Sequence, residues 1–435
     1  MSPLSRSIPE RRRLIEHAYA HAVSTMEPET AVRRALIPND HGFAVNGEQV
    51  DVNGRLIVLA IGKAATPMAR AVTQVLGSRI DAGVVLTKDG HLGDVPVGFQ
   101  AFEAAHPVPD DRGILATREI LRVVAGLSGG DVVLAMISGG GSALLESPRG
   151  GLDLTDIQHV TDLLLRAGAP IQDLNAVRSE LSEVKGGGLR EAIGRAKTVS
   201  FVLSDVLGNA REVIASGPTI ARTPNPQRAM DIIASYRLTD RVPSNVTRVL
   251  AGSVAHPAPA TRSDTDRDLF AIIGDNATFV DAFGAYLEAL GLSVCHLWTD
   301  QEGEATDRAV AWTTEARSVD ADAVIGGGEL TVTVRGDGLG GRNTEFALAA
   351  ASELAEIGER MTIASLASDG QDGSANAAGA IVDETSAAAL KQRGFDIDRV
   401  LESNDSATAL EDIGALVSPG PTGTNVNDVY VAIRG

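Results

Sequence analysis

With 435 residues, 44% hydrophobic but only 3% aromatic, the chain is too long for a typical single domain and must build its cores from Ala, Val, Leu and Ile. A formal charge of -19 argues against nucleic acid or an anionic membrane as the main partner, and the single Cys295 excludes an internal disulfide framework and a multi-cysteine metal site. No secretory signal is visible at the N-terminus and no run approaches the ~20 apolar residues that span a bilayer, so a soluble protein of a reducing, cytoplasmic compartment is expected.

In chain order, Pro9 to Met26 carries apolar residues at helical spacing and predicts an amphipathic helix. Pro38 to Asn53 is polar and reads as a loop or hairpin. Leu56 to Ile61 predicts a strand, followed by Gly62-Lys63 and an Ala-rich helix over 64–76. A strand at Ala82 to Thr87 and a helix at Gly113 to Ala125 come next. Strand Val132 to Ile137 then runs into Ser138-Gly139-Gly140-Gly141-Ser142. Helices are expected over 155–166 and 173–183, and strand Val199 to Leu203 ends at Ser204-Asp205. This alternation predicts an α/β fold with a parallel sheet.

His256 to Asp266, rich in Pro, Thr, Asp and Ala, is the candidate linker between domains at 1–255 and 265–435. Beyond it the rhythm restarts with strand Leu269 to Ile273 and helix Thr278 to Leu290. Further strands are expected at Ser293 to Leu297, Ala323 to Ile325, Leu330 to Val334, Thr362 to Ala367 and Val429 to Ile433. Trp298 and Trp312 read as packing residues.

In open α/β sheets, ligands sit beyond the carboxyl ends of the strands. Gly62-Lys63, Ser138 to Ser142, Ser204-Asp205, Gly326 to Glu329 and Ser368-Asp369-Gly370 all directly follow apolar runs. The Ser138 to Ser142 turn reads as an anion cradle, because glycines let backbone N–H groups approach a phosphate. Lys63 could neutralise a carboxylate or phosphoryl group, or be an ordinary surface lysine. It is not part of a Walker A loop, since Ile57 and Ala64 stand where glycine and Ser/Thr are required. Asp205, Asp369 and Asp372 could hold magnesium or position a hydroxyl; the alternative is helix capping or an Asx turn.

Gly336 to Gly341 matches G-x-G-x-x-G, but no acidic strand end follows at ribose-binding distance. Arg342 and Asn343 open the next helix instead, and Arg342 offers a donor fork suited to phosphate. The polar loop Pro419 to Asp428 is a further candidate binding segment. No H-E-x-x-H or G-x-S-x-G pattern occurs.

Taken together, Leu59 to Ala64, Ala105 to Pro109, Ile137 to Leu144, Asn175 to Arg178, Val184 to Gly187, Leu203 to Val206, Ala215 to Thr219, Gly326 to Glu329, Gly340 to Asn343 and Ser368 to Gly370 resemble the glycerate 2-kinase family. Some members of that family carry the name hydroxypyruvate reductase. The resemblance implies a Rossmann-like N-terminal domain and a second, smaller α/β C-terminal (MOFRL) domain, with the active site in the cleft between them. It implies transfer of the γ-phosphoryl of ATP to the 2-hydroxyl of D-glycerate, with Mg2+. Lys63, Arg342, Asp205 and Asp369 would be catalytic, with Asp205, Asp369 and Asp372 near the metal. Ser138, Gly139, Gly140, Gly141, Ser142, Lys185, Gly327, Glu329, Asn343, Thr422 and Asn425 would contact substrate or phosphate. The expected partners are a sugar acid and ATP, and the oligomeric state is left open, a homodimer included. Competing readings are an NAD(P)H-dependent hydroxypyruvate reductase, a kinase for a longer sugar acid, and a non-catalytic sensor.

Overall fold

The computed structural model describes residues 6–255 and 268–435, and the expected linker at 256–266 lies outside the described residues. The chain divides into two units, Pro28–Ile273 and Met1–Glu27 with Gly274–Gly435.

The first unit is organised by a six-stranded sheet. Its spatial order is Phe99–Ala104, Ala82–Lys88, Leu56–Ile61, Val132–Ile137, Lys197–Leu203 and Leu269–Gly274. The four ladders linking the first five strands are parallel. All six residues of Leu56–Ile61 and of Val132–Ile137 are buried, as expected for strands covered on both faces. Side chains alternate between the faces. Val58 and Ala60 pack with Met68 and Val72 of helix Ala65–Leu76. Ile57, Leu59 and Ile61 pack with Ile120 and Val124 of helix Asp111–Val124.

Three differences from the sequence reading have physical causes. The segment expected as a loop or hairpin does form hairpins but extends them to a three-stranded antiparallel sheet, Leu36–Asn39, Gly42–Val45 and Glu48–Asp51. The edge strand Phe99–Ala104 was not anticipated, because Gln100 and Ala101 face solvent and weaken its apolar pattern. Leu269–Gly274, expected to open the second domain, is the sixth strand of the first sheet.

The second unit also has a six-stranded sheet, ordered Val294–Gln301, Ala323–Gly328, Asp428–Arg434, Met361–Ala367, Gly379–Asp383 and Leu416–Val417. Only its first ladder is parallel; the other four are antiparallel. One face packs Phe279 and Phe283 of helix Asn276–Ala289 together with Ile15, Tyr19 and Met26 of helix Ile8–Met26. Arg11 fixes that N-terminal helix by donating to both carboxylate oxygens of Glu384, at 2.8 and 2.7 Å. The helix that the sequence places in the first domain therefore packs in the second unit. The other face carries helices Ala305–Ser318 and Arg342–Ile357, with Trp312 edge-on to Trp298 at 4.9 Å. The expected strand Leu330 to Val334 does not form: Thr331 makes one isolated bridge to Glu304, and Val334 is 76% exposed.

Candidate active-site residues

In the first unit, two neighbouring central strands end side by side and bring the Gly62-Lys63 and Ser138 to Ser142 turns together. The Lys63 N–H donates to the Gly139 carbonyl at 2.9 Å. Ser138 Oγ accepts from the Ala64 N–H at 3.0 Å, tying the two turns a second time. A Cβ on Gly139 would lie 2.5 Å from an Asp205 carboxylate oxygen, so only glycine admits that acid so close to the turn. Gly140, with φ of 84°, would place a Cβ 3.0 Å from the His106 ring and 3.5 Å from the Lys63 stem. Lys63, Asp205, His106 and the glycine turn thus form one cluster.

The electrostatics of that cluster follow from burial and mutual proximity. Burial raises the Asp205 pKa above its ordinary value, and the Lys63 charge partly opposes this. Burial, then Lys63, pushes the His106 imidazole down, which favours its neutral form. Among the described residues no carboxylate forms an ion pair with the Lys63 ammonium. Ser142 belongs to an adjoining network: its hydroxyl lies 2.7 Å from that of Ser216, and its carbonyl accepts from Arg178 at 3.0 Å. Ser216 has a positive φ of 62°, as does its neighbour Ala215 at 50°, a strained backbone held against the turn.

In the second unit the cluster is more tightly tied. Arg342, in the first turn of its helix, donates to both oxygens of Asp428 at 2.6 and 3.1 Å and to Glu329 at 2.8 Å. Asn427 donates to the second Glu329 oxygen at 2.7 Å. Asp428 is fully buried. Burial raises its pKa and Arg342 opposes the rise. For Arg342, burial alone would lower the pKa, but Asp428 and Glu329 outweigh it and raise it further. Asp369 lies two residues beyond the strand Met361–Ala367, which pairs with that of Asp428, and one of its oxygens accepts from the Gln371 N–H at 2.9 Å in an Asx turn. Thr422 packs on this turn, donating to the Ser368 carbonyl at 2.6 Å, while Asn425 accepts from the Asn427 N–H at 3.2 Å. Tyr19 donates to the Ala367 carbonyl at 2.8 Å, and the Asp369 and Asp428 charges add to burial in raising its pKa. Gly327 has Asn276 against it, where a Cβ would fall 2.0 Å from the amide oxygen.

Several residues singled out from the sequence have their polar atoms engaged by the protein itself. Lys185 is 2% exposed; its ammonium sits 2.8 Å from Glu146 and 2.6 Å from the Leu145 carbonyl. Burial lowers its pKa to about 8, with Glu146 opposing. Asp372 is also buried and accepts from the Asn343 and Thr344 N–H groups at 2.9 and 2.8 Å, capping the helix that carries Arg342. Asn343 spends its amide on Asp372 and Ser365. The G-x-G-x-x-G segment is neither preceded by a strand nor open to a pyrophosphate. Cβ atoms on Gly336, Gly338 and Gly340 would lie 2.4–2.5 Å from Ser403, Asp405 and Ser406, so its glycines serve internal packing.

Among the described residues no group of three or more His, Cys, Asp or Glu is arranged to hold a metal, and no helix is long and apolar enough to cross a membrane. Asp205 and the remaining oxygen of Asp369 are hard donors of the kind magnesium accepts alongside phosphate oxygens. Sequence reasoning passed over Tyr19, and it gave Asn427, Asp428 and His106 no individual role although the first two lie in the candidate binding loop and His106 in a family-like motif. Asp428 carried a signal, an acid opening an otherwise apolar strand, whereas nothing local marks Tyr19.

Comparison with known proteins places these features in context. A family model described as a domain of unknown function (DUF4147) matches residues 14–251, and the MOFRL family model matches residues 322–428. A Pyrococcus horikoshii glycerate 2-kinase is 36% identical over 425 residues, covering 95% of this chain and 94% of the relative. A Thermotoga maritima D-glycerate 2-kinase is 40% identical over 387 residues, covering 87% and 90%. The crystal structure of a Thermotoga maritima glycerate kinase superposes with a TM-score of 0.88 at 35% identity, covering 98% of this chain and 99% of that one. Aligned with these relatives over most of its length, the chain, a DUF4147 region followed by a MOFRL region, belongs to the glycerate 2-kinase family.

Proposed function

We propose that this protein is an ATP- and magnesium-dependent glycerate 2-kinase that phosphorylates the 2-hydroxyl of D-glycerate. The observation that carries the reading is the Lys63–Gly139–Gly140–Asp205 cluster, where an ammonium with no carboxylate partner among the described residues and a half-buried acid flank a glycine turn. Phosphoryl transfer asks mainly for positioning and charge neutralisation. The glycerate 2-hydroxyl oxygen forms a bond to the γ-phosphorus as the bond to the β,γ-bridging oxygen breaks, and ADP leaves with that electron pair. Lys63 neutralises phosphoryl charge, and Arg342 is a second cation whose donor fork suits phosphate. Asp205, its pKa raised by burial, is suited to take the hydroxyl proton. Asp205 or Asp369 would offer a carboxylate oxygen to magnesium, which would supply further charge neutralisation.

The reductase alternative loses its sequence support, because its glycine segment is packed against Ser403, Asp405 and Ser406. The test is incubation with ATP, magnesium and a panel of sugar acids, followed by phosphorus NMR. The expected product is 2-phosphoglycerate. Absence of ATP-dependent transfer to any acid, or transfer to the 3-hydroxyl, contradicts the reading, and a strong preference for threonate or erythronate reassigns the substrate.

A further inference from the structure

A cavity of about 490 Å³ lies wholly within the first unit. Its size suits a cofactor or nucleoside-sized ligand. One wall is apolar, formed by Ala176, Val213 and Ile220. Opposite chemistry comes from Asn175, Ser179 and Arg228. Asn175 is 8% exposed and Ser179 6%. Among the described residues neither the Ser179 hydroxyl nor the Asn175 amide nitrogen has a hydrogen-bond partner. Neither atom is sealed from solvent, so both remain available to a bound acceptor. The first turns of two helices, Ile171–Leu181 and Pro226–Ser235, also contribute to the lining, adding partial positive charge.

The cavity connects to the candidate phosphate turn. Asn175 accepts from the Ser216 hydroxyl at 3.1 Å, and Ser216 lies 2.7 Å from the Ser142 hydroxyl. Asn175 therefore faces the cavity with its nitrogen and is two hydrogen bonds from Ser142 with its oxygen. A three-carbon acid is too small to use the apolar wall and the free donors together. A purine nucleoside has flat apolar faces and polar edges that match both.

Resting on the kinase reading, we propose that this cavity seats the nucleoside portion of the phosphoryl donor, its phosphates running toward the Ser138 to Ser142 turn. The Ala176→Trp variant fills the cavity, and Arg228→Glu reverses charge at its exposed rim, deciding the matter if the first variant does not fold. The measurements are ADP affinity by calorimetry and the separate KM values for ATP and D-glycerate, on variants with wild-type circular dichroism. At least tenfold weaker ADP binding is expected for Ala176→Trp and a smaller loss for Arg228→Glu, with KM rising more for ATP than for glycerate. Unchanged ADP affinity in the folded variants, or a KM effect on glycerate alone, overturns the assignment while leaving the kinase reading standing. If the wild type binds ADP and the variants do not, yet no acid is phosphorylated, the cavity assignment survives and the kinase reading falls.

Discussion

The two candidate cations differ in how their surroundings hold them. Lys63 projects from a strand-end turn of the first unit's sheet with no carboxylate among the described residues paired to it, whereas Arg342 is gripped by Asp428 and Glu329 at the end of a mixed sheet. A flexible ammonium whose charge is unspent can follow a moving phosphoryl group; a guanidinium fixed by two acids offers a pre-set direction and little freedom. Buried Lys185 is a third case, its charge spent internally on Glu146. A lysine's function is thus read from what already neutralises it.

If this contrast is right, Lys63→Ala lowers kcat by about 10²–10³-fold, the scale of losing one directed electrostatic contact, with the fold intact. Steady-state kinetics alongside circular dichroism check it, and near-wild-type turnover would break the comparison. Lys185→Ala acts on stability instead. It strands a buried carboxylate and costs about 3–5 kcal/mol in urea unfolding. The Lys185→Met, Glu146→Leu pair restores most of that loss; a double variant still as unstable as the single one contradicts a structural ion pair. Asp372→Ala removes a helix cap and costs about 1–2 kcal/mol, without altering the magnesium concentration that half-saturates turnover. A shifted magnesium requirement would return Asp372 to the metal. The smallest effect concerns protonation. Lys63 lowers an Asp205 pKa that burial raises, so Lys63→Met moves the Asp205 titration to higher pH. Carbon-13 NMR of the labelled carboxylate reads the direction, and an unchanged titration would place the two charges out of reach of each other.

Much of the first sheet was legible in local sequence because its central strands are unbroken apolar runs, such as Leu56–Ile61 and Val132–Ile137, each ending at a turn of Gly, Ser or Lys. The same runs located Lys63 and Asp205, since strand ends in such sheets are where side chains gather. The short Gly379–Asp383 and the half-exposed Leu416–Val417 were not found, being too brief to show a period.

Sequence by itself determined the α/β class, the strand-end turns and the identity of the charged groups on them, because periodicity and turn chemistry are local properties. Tertiary structure alone decided which sheet received Leu269–Gly274, which unit took the helix Ile8–Met26, and whether each charge was already satisfied. Lys185 meeting Glu146, Asp372 meeting a helix end and Tyr19 meeting Ala367 all join residues distant in sequence. Such pairings depend on burial and on the path of the whole chain, which no window of neighbouring residues contains.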